Sequence, residues 1–359
     1  MISEISERYE KFRKKIGEPY PIKLEQPLIT KDLPFNIHAV EVIDRRIDSD
    51  LVGKLPFIAL RYREFIAKEK GYIFKNELFS FVEPIVPKKL LMTNMEDEYI
   101  KGLTYNLPEF LNNFRKDHFD IVMVPNFSVY DHAKRYIHFE NRNISRWFLE
   151  QLFRHGIPGV LSYYFYEEER DVEWLSELLS MSDSITHLIG TFHRRGYNSA
   201  SHIIWELELF KRVEENVGRE ICFIFKGIEL NGRVIKKAVG IFGSPRFTIL
   251  GEKALRLAIG GKLIYFDPEY MKFFEYDTSS LELLPEKWLL FDLNREIIEN
   301  AHHFIIYGKP FRTELFDLKW LFKEIKKRSS LLNNQGAHNL ENRSQKAFVF
   351  AESASDERS

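Results

Sequence analysis

The chain has 359 residues, 44% hydrophobic and 14% aromatic, with 29% charged residues and a formal net charge of −1. That apolar share supports a large buried core and exceeds what one small module needs. The near-zero net charge excludes a general electrostatic grip on nucleic acid or acidic membrane, leaving room only for a local basic patch.

The N-terminal stretch MISEISERYEKFRKKIG is polar and charged and lacks the apolar segment of a secretion signal. No apolar run approaches the length that spans a bilayer, so no membrane association is expected. Residues 1–88 are mixed and proline-bearing, as in KLEQPLITKDLPF and LFSFVEPIVPKK. They read as an N-terminal helix followed by an extended arm that caps the main domain. The single cysteine, Cys222, lies in the apolar run ICFIF. It supports neither a disulfide framework nor a cysteine-based zinc site, reads as a buried small hydrophobe, and fits a reducing cytoplasm. Glutamine occurs only at Gln26, Gln151, Gln335 and Gln345 while Lys, Arg and Glu abound, a balance that points toward a thermophilic source.

From about residue 89 to 312 one theme recurs. A short apolar run ends in a polar or glycine turn, and a helical pattern usually follows. The runs are LLMTN (90–94), DIVMV (120–124), IPGVLSYY (157–164), THLIGT (186–191), ICFIFK (221–226), FTIL (247–250), KLIYF (262–266) and HFIIY (303–307). Helical periodicity fills the gaps, as in ISRWFLEQLFRHG and SHIIWELELFKRVEENVG, both closed by glycine. Short continuous apolar strands alternating with helices indicate a parallel sheet buried on both faces. Eight such units in about 220–250 residues predict an α/β fold, a (β/α)8 TIM-like barrel. The alternative is an open doubly wound parallel sheet, because the last intervals are uneven. A helix is predicted over 313–328, with Leu315, Leu318, Leu321 and Phe322 on one face. Residues 329–359, rich in Asn, Ser, Gln and charge, are expected to form a disordered tail able to serve a protein partner.

In a parallel α/β barrel the C-terminal strand ends carry the functional loops. Pro125-Asn126-Phe127-Ser128 follows DIVMV, and Pro125 stops the strand because it cannot donate to the ladder. Asn126 and Ser128 then either cap the next helix or present hydrogen-bonding groups at the mouth. These residues, continued by Val129-Tyr130, resemble the P-D-F-S-x-Y strand end of a domain of unknown function, number 4417. Asn141-x4-Arg146-Trp147, with Arg142, is loosely similar to that family's N-x-x-R-x-R-W helix. Phe153-Arg154-His155-Gly156-Ile157-Pro158-Gly159-Val160 resembles its G-I-x-V-x-P turn, and Ile305-Ile306-Tyr307-Gly308 its closing strand. The match is concentrated in about 120–165. The resemblance implies a barrel-like α/β fold and a link to phages, plasmids or other mobile elements. It implies no reaction. The family's aspartate is Asn126 here, so any acid, base or nucleophile role of that carboxylate is lost.

Other strand ends supply further candidates. His193, Arg194 and Arg195 follow THLIG and could bind a phosphate or carboxylate through the planar arginine forks, or form a solvated loop. Lys226 ends ICFIFK and is an electrostatic or Schiff-base group if desolvated, with Glu229 as its expected partner. Asp267, after KLIYF, suits general acid/base work or a turn cap before Pro268. Glu252 after FTILG is a weaker case of the same kind. Tyr163 and Tyr164 offer aromatic walls or core packing. The basic segment from His132 to Tyr136, with Arg142, Arg146 and Arg154, reads as a salt-bridged helix face or a phosphate contact. There is no P-loop, G-x-G-x-x-G, H-E-x-x-H or G-x-S-x-G. His302 and His303 are adjacent and make a poor ligand pair on a strand. No motif names a cofactor or a metal.

The expected function is an enzyme of mobile-element or DNA/RNA metabolism that takes a sugar- or base-containing, nucleotide-like small molecule at the barrel mouth. In that scheme Asp267 is the acid/base, with His193 beside it. Lys226, Arg194 and Arg195 neutralise charge, while Asn126, Ser128, Tyr130 and Tyr163 position the substrate. The alternative is a non-catalytic scaffold of a virus or plasmid.

Overall fold

The computed structural model describes residues 11, 33–40, 52–62, 66–67, 73–74, 88–93, 97–113, 119–127, 135–183, 185–192, 199–243, 246–279, 281 and 285–331. Eight parallel strands close into a ring: β1 (Asn36–Val40), β2 (Phe57–Arg61), β3 (Lys88–Met92), β4 (Ile121–Val124), β5 (Gly159–Tyr163), β6 (His187–Thr191), β7 (Cys222–Lys226) and β8 (Phe247–Gly251). Each pairs with its sequence neighbour, and β1 pairs with β8 through Asn36↔Ile249, Ile37↔Leu250 and His38↔Gly251. The chain is a (β/α)8 barrel. That last pairing excludes an open doubly wound sheet, which would leave two unpaired edges.

The helices lie outside. They are α1 (Asp97–Tyr105), α2 (Leu107–Asn113), α3 (Arg135–Arg154), α4 (Glu168–Ser180), α5 (Ala200–Val217), α6 (Gly232–Phe242), α7 (Lys253–Ile259) and α8 (Lys287–Tyr307). Their ends follow local chemistry. Ser199 accepts from His202 N to start α5, and Gly218 closes it at φ 73°, a conformation other residues resist. Period-2 alternation divides each strand. Ile37, Phe57, Leu90, Met123, Val160, Ile189, Ile224 and Leu250 face inward and fill the ring as one buried cluster. The alternate residues meet the helices in a second, larger core.

Six of the eight predicted runs are β3 to β8. The other two are not barrel strands. KLIYF forms β9 (Lys262–Asp267) of an antiparallel hairpin with β10 (Lys272–Asp277), appended after the barrel. HFIIY is the C-terminal end of α8, closed by Gly308 at φ 75°. A short apolar run cannot by itself distinguish a strand from a buried helix segment. The missing strands, β1 and β2, come from the stretch expected to be an arm. β1 was hidden by Asn36 and His38, whose polar side chains bond to α8. The barrel therefore starts at residue 36, not 89. Pro34 and Phe35 lead into β1 and lace onto β8, their carbonyls accepting from Thr248 Oγ1 (2.9 Å) and Ile249 N (2.7 Å). Cys222 is partly exposed at the start of β7, not fully buried. After α8, a 3-10 turn (Thr313–Phe316) precedes a helix over 318–331, which starts five residues and ends three residues later than the predicted 313–328. The rest of the predicted tail lies outside the described residues. Among the described residues no helix is long and apolar enough to cross a membrane.

Candidate active site at the barrel mouth

The inward-facing sequence on each strand ends, at the C-terminal rim, in the residue after the last interior apolar one. On β2 that residue is Arg61, on β5 Ser162, on β6 Thr191 and on β7 Lys226, with Glu252 directly after β8. Thr191 and Lys226 are register partners on adjacent strands. Ser162 Oγ and Thr191 Oγ1 are 2.9 Å apart. Lys226 Nζ lies 3.3 Å from Glu252 Oε2, and Arg61 Nε lies 3.6 Å from Glu252 Oε1. One carboxylate is thus shared by two cations, beside a pair of hydroxyls.

Burial is graded across this group. The side chains of Arg61, Glu252 and Lys226 are 36%, 22% and 2% exposed. Burial holds the Lys226 amine below its ordinary value, and the Arg61 charge pushes the same way, while Glu252 opposes both. An amine kept out of water beside an acid is suited to act as a base or a nucleophile.

Of the other predicted positions, Asn126 sits at the rim of β4, half-buried. Its neighbours are pinned: Ser145 of α3 donates to the Pro125 carbonyl at 2.8 Å, and the Tyr164 hydroxyl donates to the Phe127 carbonyl. Ser128, Tyr130, His193, Arg194 and Arg195 lie outside the described residues. Two candidates are placed away from the mouth. Tyr163 alternates with inward-facing Ser162 and therefore faces out. It stacks on Trp174 of α4 at 5.7 Å and 14°, with the Arg142 guanidinium 5.4 Å from its ring. Asp267 is on the appended hairpin, where Oδ1 accepts from Glu269 N (2.9 Å) and Tyr270 N (3.2 Å), a turn cap. Arg142 and Arg146 of the basic segment are engaged with Asp171 and Glu150, as a salt-bridged helix face would have them.

Glu229 is not the partner of Lys226. It turns to the outside of the barrel wall, fully buried, and accepts from Lys253 N at 2.8 Å. Its Oε1 has no hydrogen-bond partner. Burial pushes its carboxyl above the ordinary value. Arg61, Ser162 and the pairing role of Glu252 escaped sequence reasoning. The signal for Arg61 was present: FIALR ends an apolar run in a cation, as ICFIFK does. Among the described residues no group of three His, Cys, Asp or Glu side chains could hold a metal.

No protein-family model matches the chain, and no curated protein is significantly similar to it. Among solved structures, the chain is similar to the catalytic domain of a family GH18 chitinase from the fern Peteris ryukyuensis. The TM-score is 0.35 and the identity 11%, over 63% of this chain and 93% of that one.

Proposed function

We propose that the barrel mouth is the active site of an enzyme acting on a small anionic substrate of sugar or nucleobase type. The observation that carries this reading is Lys226, a lysine desolvated at the C-terminal end of a barrel strand and paired to a carboxylate that Arg61 also contacts. Taking an ammonium out of water costs several kcal/mol, and an apolar side chain of similar volume would close the barrel without that cost. Desolvated ionisable groups with a charged partner concentrate at functional sites. Two cations on one carboxylate leave a positive charge that a phosphate or carboxylate of the substrate would match. The Ser162 and Thr191 hydroxyls are placed to bond a substrate hydroxyl or carbonyl. Lys226 and Glu252 then take the acid/base roles, in place of Asp267 on the appended hairpin. The link to mobile-element DNA or RNA metabolism rests on the sequence resemblance at 120–165.

The test is a thermal-shift screen of the wild-type chain and Lys226→Met against nucleotides, nucleobases, sugar phosphates and short DNA and RNA. Bound ligand raises Tm by mass action. The expected result is a hit in the wild type that disappears in Lys226→Met, while the unliganded variant melts at or above the wild-type temperature. No hit, with Lys226→Met clearly less stable, would make the ion pair a structural plug. The chain would then be read as a scaffold, with partner capture through residues 329–359 as its next test.

A further inference from the structure

We infer that Lys226 reacts covalently, forming an imine with the aldehyde or ketone of an anionic substrate whose charged group is held by Arg61. This rests on the mouth reading and goes further by naming the reactive group and the substrate class.

Imine formation makes four demands, and the mouth supplies a residue for each. It needs an amine free to be unprotonated, and Lys226 is 2% exposed with its amine held below the ordinary value by burial. It needs a carboxyl group in proton-transfer range of that nitrogen, and Glu252 Oε2 is 3.3 Å away. It needs a donor for the carbonyl oxygen. Thr191 is the register partner of Lys226 on the next strand, and its hydroxyl is bridged to Ser162 at 2.9 Å. It needs an anchor that holds the substrate away from the reacting atoms, and Arg61 approaches the far oxygen of Glu252 at 3.6 Å.

The exposure gradient fixes the order of approach. A ligand entering from solvent meets Arg61 first, then Glu252, and Lys226 last. An anionic group taken up by Arg61 would loosen its hold on Glu252 and leave that carboxylate to serve the amine. A lysine meant only to attract anions would be better placed in water, where it stays protonated.

The Lys226 nitrogen lone pair attacks the carbonyl carbon, and the C–O π electrons move to oxygen, which takes a proton through the Thr191–Ser162 hydroxyl pair. Glu252 accepts the proton released from nitrogen and returns it to the new hydroxyl group. That group leaves as water as the C=N bond forms, and the second nitrogen proton passes back to the hydroxyl pair. The sum is amine plus carbonyl giving imine plus water, with no oxidant or cofactor. Lys89 serves as an internal contrast. Burial also lowers its amine, but it lies at the start of β3, faces outward and has Asp120 beside it, away from the mouth.

The experiment is reductive trapping. The full chain is incubated with dihydroxyacetone phosphate, ribose 5-phosphate or pyruvate plus cyanoborohydride, and the modified site is mapped by mass spectrometry. The expected adduct is the probe less one oxygen atom, on Lys226, and enriched there over every other lysine. Glu252→Gln is expected to slow its formation about a hundred-fold, and Lys226→Met to remove it. Adduct spread over surface lysines, or none with any probe, overturns the imine. If Lys226→Met still abolishes the thermal shift in that event, the mouth binds anions with an electrostatic lysine, and only the covalent step falls. If the thermal shift is absent too, the site reading falls with it.

Discussion

The two faces of the same strands hold their buried ionisable groups in different surroundings. Inside the mouth, Lys226 and Glu252 meet as an ion pair that Arg61 shares. Outside, between β1, β7, β8 and α8, burial drives His302 and Glu229 toward their neutral forms, while Glu299 is paired with Arg295. His302 is pushed down to about 4, and Glu229 is pushed up. His302 Nε2 donates to the Glu229 carbonyl at 2.8 Å, and Nδ1 lies 2.7 Å from the Asn36 side-chain amide. His38 Nε2 is 3.1 Å from Glu299, which Arg295 also holds at 2.9 Å. The outer cluster ties α8 to the barrel wall, with His302 and Glu229 sealed beneath it and Glu299 33% exposed at its edge. The inner one is graded toward solvent. A buried polar group that is sealed reads as architecture, and one that is graded toward an opening reads as chemistry.

The largest expected effect breaks the outer face. A methyl group added at Gly251 would lie 2.5 Å from Glu229 Cδ, inside the carboxyl group. Gly251→Ala should therefore lose about 2–4 kcal/mol in denaturant unfolding. Adding Glu229→Ala in the same chain should restore part of that loss. A full loss in the double variant would mean that the clash is not the cause.

Next comes pH. His302 is depressed in the folded state relative to 6.5 unfolded. The unfolded chain therefore binds the extra proton first. The stability from the neutral ring is complete above pH 6.5 and is lost as pH falls toward 4, to a total of about 3 kcal/mol. Glu229, raised in the fold, works in the opposite sense above its ordinary value. The informative curve is therefore the difference in unfolding free energy between wild type and His302→Asn across pH 4–7. A flat difference would sink the neutral-histidine account.

The smallest effect sharpens the comparison. Asp267→Asn should cost under about 1 kcal/mol, since it alters one exposed turn cap, and should leave any ligand-induced thermal shift intact. If that shift disappears, the hairpin belongs to the site and the boundary drawn at the barrel mouth is misplaced.

How far the sequence carried depended on what each segment packs against. The strands β3 to β8 are apolar on both faces, so their composition alone marks them. β1 is Asn-Ile-His-Ala-Val, where the inward residues are apolar and the outward ones bond to α8, so the run looks broken. α8 buries Leu290, Phe291, Ile297, Ile298 and Ile305, and its last turns imitate a strand. Among site residues, Lys226 was legible because a lysine closing an unbroken apolar run has few ways to reach water. Its partner was not, since Glu229 and Glu252 both follow strands, and only the three-dimensional path of each loop shows which carboxylate turns inward.

The closure of β1 onto β8 also governs the order in which the chain can be built. Residues 36–40 emerge early in synthesis, yet their second partner strand ends at residue 251. Until then, one edge of β1 has no neighbour to pair with. Such an edge invites pairing with other chains, and polar side chains on it discourage that. Ring closure over so long a separation should be a late, slow event in folding.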